Sequence, residues 1–466
     1  MMHRESMRMR RVMVLALLIL FAGSGGARGQ EQNEAQDVPG GHFPYPAALR
    51  PQVEFWKKIF ATYSRYQVVI HDTERLNRVY KVLDFRPLLD EEGPDEATVL
   101  RTKDQQTKKE IEKIRATLLK LHQRGDDEEN LGPEEQKIWN LYRDANDPDK
   151  FHKAADEDRL RSQSGLRERF REGIQVSRRY LKEMEDIFRR EGVPVELTRL
   201  PLVESCFNLQ AYSKAAAAGI WQFIPSTGRL YMRIDGVIDQ RRDPLVSTWA
   251  AARLLKTNYE LLDSWPLAIT AYNHGLYGVF KAAHTLGTRD IAEIVRRYKG
   301  KGFGFASKNF YAEFLAALEV EKNYQQYFGS LRLEPPLRYD EVHLKDFISL
   351  KHAADCANTD EEQLLFLNPA LEEPVRNGRA YVPRGYRLRV PDGTSPLFLE
   401  RYAALQDHEK ADRQKAVFVM HKIRRGQTLQ RIARQYNTTI LVLKRLNGVS
   451  NVKRLQIGQT LRVPTS

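Results

Sequence analysis

Between Leu166 and Tyr327 apolar residues return every three or four positions and almost never alternate. That spacing confines this part of the chain to helices packed on helices. Leu166, Phe170, Ile174, Tyr180, Met184 and Ile187 mark one such face, read as a single helix over 166–190. Gly192 and Pro194 supply a stop and a fresh start, and turns follow near Asp243-Pro244, Ser264-Trp265-Pro266 and 302–304. Upstream, Phe55, Trp56, Ile59, Phe60 and Tyr63 form one apolar face, and Ile111, Ile114, Leu118 and Leu121 another. Residues 51–165 therefore read as a charged helical region with no chemistry of its own. The fold class expected is mainly α.

At 466 residues the chain exceeds one ordinary domain. After Pro335 the texture changes. Residues 338–393 and 417–464 share one layout of strand, two short helices and a strand closing on a proline, which predicts a divergent internal repeat. A helical linker is expected over 394–416, and the main helical domain over 166–330.

The amino terminus reads as a signal peptide over 1–29. Arg4, Arg8, Arg10 and Arg11 precede the apolar run from Val12 to Ala22, and small residues follow. The run has the length of a signal-peptide core and is too short to span a membrane. No cysteine lies nearby to take a lipid, and residues 30–50 read as a linker. An exported protein is expected, periplasmic or cell-wall-associated, peripheral to the envelope and not transmembrane after cleavage. The net charge of +13 is uneven: residues 417–466 hold ten Lys or Arg and no Asp or Glu, and the body is near neutral. A basic terminal module alone leaves nucleic acid open, but an exported protein meets anionic envelope polymers more often, so such a polymer and not nucleic acid is the partner expected. The two cysteines, Cys206 and Cys356, read as buried free thiols. Scattered histidines, with no HExxH, CxxC or Gly-rich phosphate loop, imply neither metal nor cofactor.

The stretch from Leu200 to Gln222 carries the chemistry. Glu204 follows Leu200, Leu202 and Val203, with Phe207 just beyond. Apolar surroundings disfavour the charged carboxylate, as does the negative end of a short helix starting near Pro194. A carboxyl kept protonated near neutrality can deliver a proton to a glycosidic oxygen. Asp235, Asp239 and Asp243, beside Arg241 and Arg242, read as turn and ion-pair residues and not as a second catalytic carboxylate.

Glu204-Ser205, Ala218-Gly219-Ile220-Trp221-Gln222 and Ala271-Tyr272-Asn273 with Gly275 resemble the motifs of the soluble lytic transglycosylase family, in its lytic murein transglycosylase D type. The likeness implies a lysozyme-like helical catalytic domain. It implies cleavage of the β-1,4 bond between N-acetylmuramic acid and N-acetylglucosamine in peptidoglycan, with a 1,6-anhydro product and one glutamate as acid and base. A single carboxyl group suits that chemistry, because the attacking hydroxyl is already held in place. A two-carboxylate hydrolase needs a partner across the bond. By position Glu204 is the acid/base. Ser205, Ser213, Gln222, Tyr272 and Asn273 would contact substrate or shape the cleft, and Tyr311 would bring its hydroxyl near Glu204. The chain departs from the pattern at Leu209, where a proline is common, and at Ser307-Lys308, where a Glu-Thr dipeptide is usual. His274 reads as a loop histidine open to solvent. The alternatives are a non-catalytic peptidoglycan-binding scaffold or a hydrolysing lysozyme.

Residues 417–464 resemble a LysM domain through Arg425-Gly426-Gln427-Thr428-Leu429, Leu446-Asn447-Gly448 and Ile457-Gly458-Gln459-Thr460-Leu461. The resemblance implies that Gly426, Gln427, Thr428, Leu455 and Ile457 bind chains containing N-acetylglucosamine. The 338–393 repeat resembles a degenerate LysM through Leu365, Leu367 and Asn368-Pro369-Ala370.

Overall fold

Two short antiparallel strands, Gln36–Asp37 and Pro44–Tyr45, lead into the helix Arg50–Ala61. The computed structural model describes residues 36–37, 41–89, 93–125, 127–415, 418–436, 438–449 and 455–464. The expected signal peptide, and residues 30–35 and 38–40 of the expected linker, lie outside them. No helix among the described residues is long and apolar enough to cross a membrane.

The apolar face of Arg50–Ala61 packs on the helix Phe305–Lys322, so Phe55, Trp56, Ile59 and Phe60 join the core of the main helical domain. Trp56 Nε1 donates to Asn309 Oδ1 at 3.4 Å across that contact. The rest of the 51–165 region is not all helix. An antiparallel sheet orders Val79–Asp84, Gln67–Asp72 and Leu160–Ser164. Its central strand runs Val68, Val69, Ile70 and is buried on both faces, so it lacks the alternation that reveals a half-exposed strand. The 29-residue helix Glu96–Arg124, capped by Asp95, covers it, and Ile70, Tyr80, Leu118, Trp139 and Phe151 form a separate small core.

The helix expected over 166–190 is two, Arg167–Ser177 and Leu181–Glu191. The break is stabilised from outside: Glu334 N donates to the Gln175 carbonyl oxygen and Leu337 N to that of Arg179. Gly192, at φ +69°, ends the second helix as expected. Pro244–Leu262, Trp265–His274, Leu276–Leu286 and Phe305–Lys322 complete the core. Trp221 lies fully buried at its centre, donating to Thr248 Oγ1 at 2.8 Å.

The two carboxy-terminal modules are βααβ units. Tyr339–His343 pairs with Arg387–Pro391 around the helices Leu350–Cys356 and Glu361–Leu367. Phe418–Lys422 pairs with Thr460–Pro464 around Leu429–Gln435 and Ile440–Asn447. One asparagine locks each module in the same way. Asn368 donates to the Leu364 and Arg389 carbonyl oxygens and accepts from Arg389 N. Asn447 does so with Leu443 and Arg462. The segment between the modules is α-helical at Ser395–Ala404, has one 3-10 turn at Asp407–Glu409, and ends in a strand, Lys410–Ala411. Cys206 and Cys356 are both free.

Candidate active site

Glu204 sits in the last turn of the six-residue helix Leu200–Ser205, which has a proline in its first turn. Cys206 and Phe207 follow in the left-handed region, at φ 48° and 56°, and turn the chain away just past the acid. The helix Arg167–Ser177 comes close here: a Cβ on Gly173 would lie 2.4 Å from the Cys206 carbonyl oxygen. The Glu204 side chain is partly exposed, yet burial of its carboxyl pushes it up to about 8. It makes no hydrogen bond or ion pair with the described residues.

Ser205 is a brace. Its Oγ donates to the Ile220 carbonyl oxygen at 3.0 Å and to that of Pro201 at 3.2 Å, tying the acid's helix to the Gly219–Gln222 turn. Ser213 Oγ accepts from Ala215 N and Ala217 N, which folds the alanine run. Gln222, at φ 50°, donates through Nε2 to the Gly219 carbonyl oxygen at 2.7 Å. Tyr272 donates to the Trp221 carbonyl oxygen at 2.8 Å, and its phenol's pKa is raised first by burial and then by the nearby Glu204 charge. Asn273 is exposed, and its Oδ1 accepts from Ser307 Oγ at 3.3 Å.

Residues 184–295 match the family profile described as Transglycosylase SLT domain, and 421–464 match the LysM domain. This part of the chain is similar to the transglycosylase SLT domain. It is also 30% identical over 289 residues to proteins named membrane-bound lytic murein transglycosylase D in Escherichia coli strain K12 and in a second Escherichia coli strain, O6:H1. Each match covers 59% of this chain and 61% of the relative, so the chain spans about three fifths of the length of those proteins. Glu204, Ser205, Ser213, Gln222, Tyr272 and Asn273 all fall inside the SLT match.

Tyr311 lies past the matched span. Its ring is buried, and its hydroxyl donates to the Pro44 carbonyl oxygen at 2.7 Å, fastening the chain ahead of the first long helix and not addressing Glu204. His274 also differs from the open loop residue expected. It is half-buried, shares a hydrogen bond with Ser307 Oγ at 3.0 Å and meets the Phe303 ring edge-on. Ser307, where the family pattern has a glutamate, thus ties Asn273 and His274 together.

Glu313 went unrecognised in the sequence. It lies on Phe305–Lys322, which packs on the Glu204 helix, and its carboxyl too is pushed up to about 8, first by burial and then by the charge of Glu204. Arg161, on the Leu160–Ser164 strand, opposes the rise and stacks over Phe305 at 4.3 Å. A signal was present: Glu313 is the only charged residue between Lys308 and Glu319, inside an otherwise apolar run. The aspartates behave as expected. Asp239 pairs with Arg241 at 2.7 Å, Asp243 with Arg389 at 2.7 Å, and Asp235 accepts from Val237 N and Ile238 N.

In the LysM domain Gly426 and Ile457 are exposed, Ile457 at 68%. Leu455 is half-buried against the module's core. Gln427 Oε1 accepts from Arg424 N, and Thr428 caps the Leu429 helix by accepting from Arg431 N.

Proposed function

We propose that this chain is an exported peptidoglycan lytic transglycosylase with Glu204 as its acid and base. The observation that supports it best is an unpaired carboxyl, kept protonated by burial, within the matched SLT domain. Protonated Glu204 gives its proton to the oxygen linking N-acetylmuramic acid to N-acetylglucosamine, and the anomeric carbon–oxygen bond breaks. The resulting carboxylate takes the proton of the muramyl 6-hydroxyl, whose oxygen closes onto the anomeric carbon. Atoms and charge balance without water, and the acid is regenerated. Ser205 and Tyr272 keep the Glu204 helix, the Trp221 turn and the tyrosine ring in register, while Gln222 and Asn273 offer amide groups to the sugars' N-acetyl groups.

Glu313 favours a second reading. A carboxyl beside the acid removes the argument that a lone glutamate forces ring closure, so the anhydro product now rests on the family likeness alone. A hydrolysing lysozyme would use Glu313 to activate water. Mass spectrometry of a sacculus digest separates the two. Products one water lighter than hydrolysis products support ring closure; reducing-end muramic acid as the main product overturns it.

The same pair sets a pH dependence. Glu204 must enter protonated, so the rate should fall as pH rises through about 8. Glu313, Tyr272 and Arg161 are the titratable and charged groups around the pair. Two nearby carboxyls resist losing both protons. Burial is the cause of Glu204's own rise, and Glu313 is the one that feels the Glu204 charge, so Glu313→Gln should leave the alkaline limb near 8. A limb that moves to lower pH would show instead that Glu313 ionises first and holds the proton on Glu204. The LysM domain is proposed to hold the glycan, its basic charge favouring a carboxylate-rich wall at low salt.

A further inference from the structure

The two βααβ modules correspond position by position through their hydrogen bonds. Leu344 N donates to the Tyr386 carbonyl oxygen and Gly385 N to that of Leu344, as Ile423 N does to Gln459 and Gly458 N to Ile423. Ser349 caps the first module's leading helix where Thr428 caps the second's. The loops 426–428 and 455–457 of the second module therefore match 347–349 and 382–384 of the first.

In the second module this loop pair is open, with Gly426, Thr428 and Ile457 exposed. In the first it is closed twice over. Ile348 and Val382 are fully buried and exchange backbone hydrogen bonds, Val382 N to the Ile348 carbonyl oxygen at 2.8 Å and Ile348 N to that of Val382 at 3.3 Å. The chain's own connecting segment then lies along them. Lys410–Ala411 pairs antiparallel with Phe347–Ile348. The Gln414 carboxamide grips the backbone of Tyr381 from both ends, accepting from its N–H at 2.7 Å and donating to its carbonyl oxygen at 2.8 Å. Lys415 donates to the Gly378 carbonyl oxygen and covers the Tyr381 ring at 4.5 Å.

The module is anchored elsewhere as well. Asp239 N donates to the Ala370 carbonyl oxygen, Glu372 N to that of Val237, and Arg389 pairs with the buried Asp243 of the main domain. Beyond it, Arg445 of the second module stacks over Tyr212 at 4.4 Å, next to Ser213 of the proposed cleft.

We propose that residues 410–415 form a built-in strap that fills the first module's loop pair, making that module a rigid strut between cleft and LysM domain, not a saccharide reader. The inference rests on the reading that the second module's open loops take acetamido sugars. A primary carboxamide presents the donor and acceptor of an acetamido group, and Gln414 engages the N–H and carbonyl of Tyr381, directly beside Val382 of the loop pair. A tethered occupant competes at millimolar effective concentration, which a weakly binding sugar does not match. Saccharide affinity at this end of the chain then belongs to one module, held at a fixed distance from the cleft.

Hydrogen-exchange mass spectrometry on the full chain, with and without a linear N-acetylglucosamine hexamer, tests this. Peptides over 423–429 and 455–460 should gain protection, while 344–350 and 378–386 exchange slowly and equally in both samples. Gln414→Ala should speed exchange at Tyr381 at least tenfold without creating sugar-dependent protection there, and 200–222 serves as the control for an intact fold. Sugar-dependent protection of 344–350 or 378–386, in either protein, overturns the strut. So does unchanged Tyr381 exchange in the variant. Protection at neither module, with Tyr381 exchange accelerated, upholds the strap and instead refutes sugar binding by the second module.

Discussion

Glu204→Gln should abolish glycan cleavage while making the protein more stable. Glutamine keeps the size of the side chain and loses the transferable proton, and losing a general acid alone removes about 10²- to 10⁴-fold in rate. Here the same group also serves as base, so the upper end is expected. The stability effect follows from linkage. Glu204's folded-state pKa, about 8, lies above the ordinary glutamate value of 4.5, so the folded state holds the proton more tightly. That preference is fully present below pH 4.5 and is lost as pH rises through about 8. A neutral glutamine carries no such dependence. Thermal unfolding near pH 8 should therefore give a higher Tm for the variant, with the gap shrinking as pH falls toward 4.5. Equal Tm values at both pH values would mean that Glu204 is not held in a desolvated site.

Gly219→Ala should cost the main domain more than about 3 kcal/mol, well outside the range of ordinary substitutions. Gly219 sits at φ +74°, and an added Cβ would lie 1.9 Å from the Arg241 carbonyl oxygen. That atom cannot swing aside as a flexible side chain could. Arg241 is buried, paired with Asp239, and its guanidinium donates to the Ala216 and Phe223 carbonyl oxygens, so moving it loosens the whole turn that carries Trp221 and Gln222. Gly287→Ala is the control. Its φ is +64°, but nothing lies within 4 Å of the added carbon, so only the left-handed strain of about 1–2 kcal/mol applies. Urea unfolding followed by tryptophan fluorescence compares the two. Similar losses in both would show that the close approach to Arg241 is not what demands glycine.

Much of this architecture was legible in the residues. The helices of the main domain announce themselves because each buries one stripe against a common core, and a stripe is a local pattern. The internal repeat was legible for the same reason, down to the asparagine at the end of each second helix. The central strand Gln67–Asp72 was not, because burial on both faces erases alternation. The break between Ser177 and Leu181 was hidden too, since the groups that stabilise it arrive from Glu334 and Leu337, more than 150 residues away.

The site divides along the same line. Sequence alone singled out Glu204 as the proposed acid, its apolar setting and the aspartates' duty as turn and ion-pair residues, because each depends on near neighbours along the chain. Tertiary structure alone decided that Glu313 feels the Glu204 charge across 109 positions, that Arg161 reaches Glu313 from a strand, and that Tyr311 turns to Pro44. It also decided that one LysM-like module is sealed by its own connector while the other stays open. Periodicity states which face of an element is buried, but which partner meets that face depends on how the elements pack. The lone glutamate of the sequence becomes, in the fold, one half of a carboxyl pair.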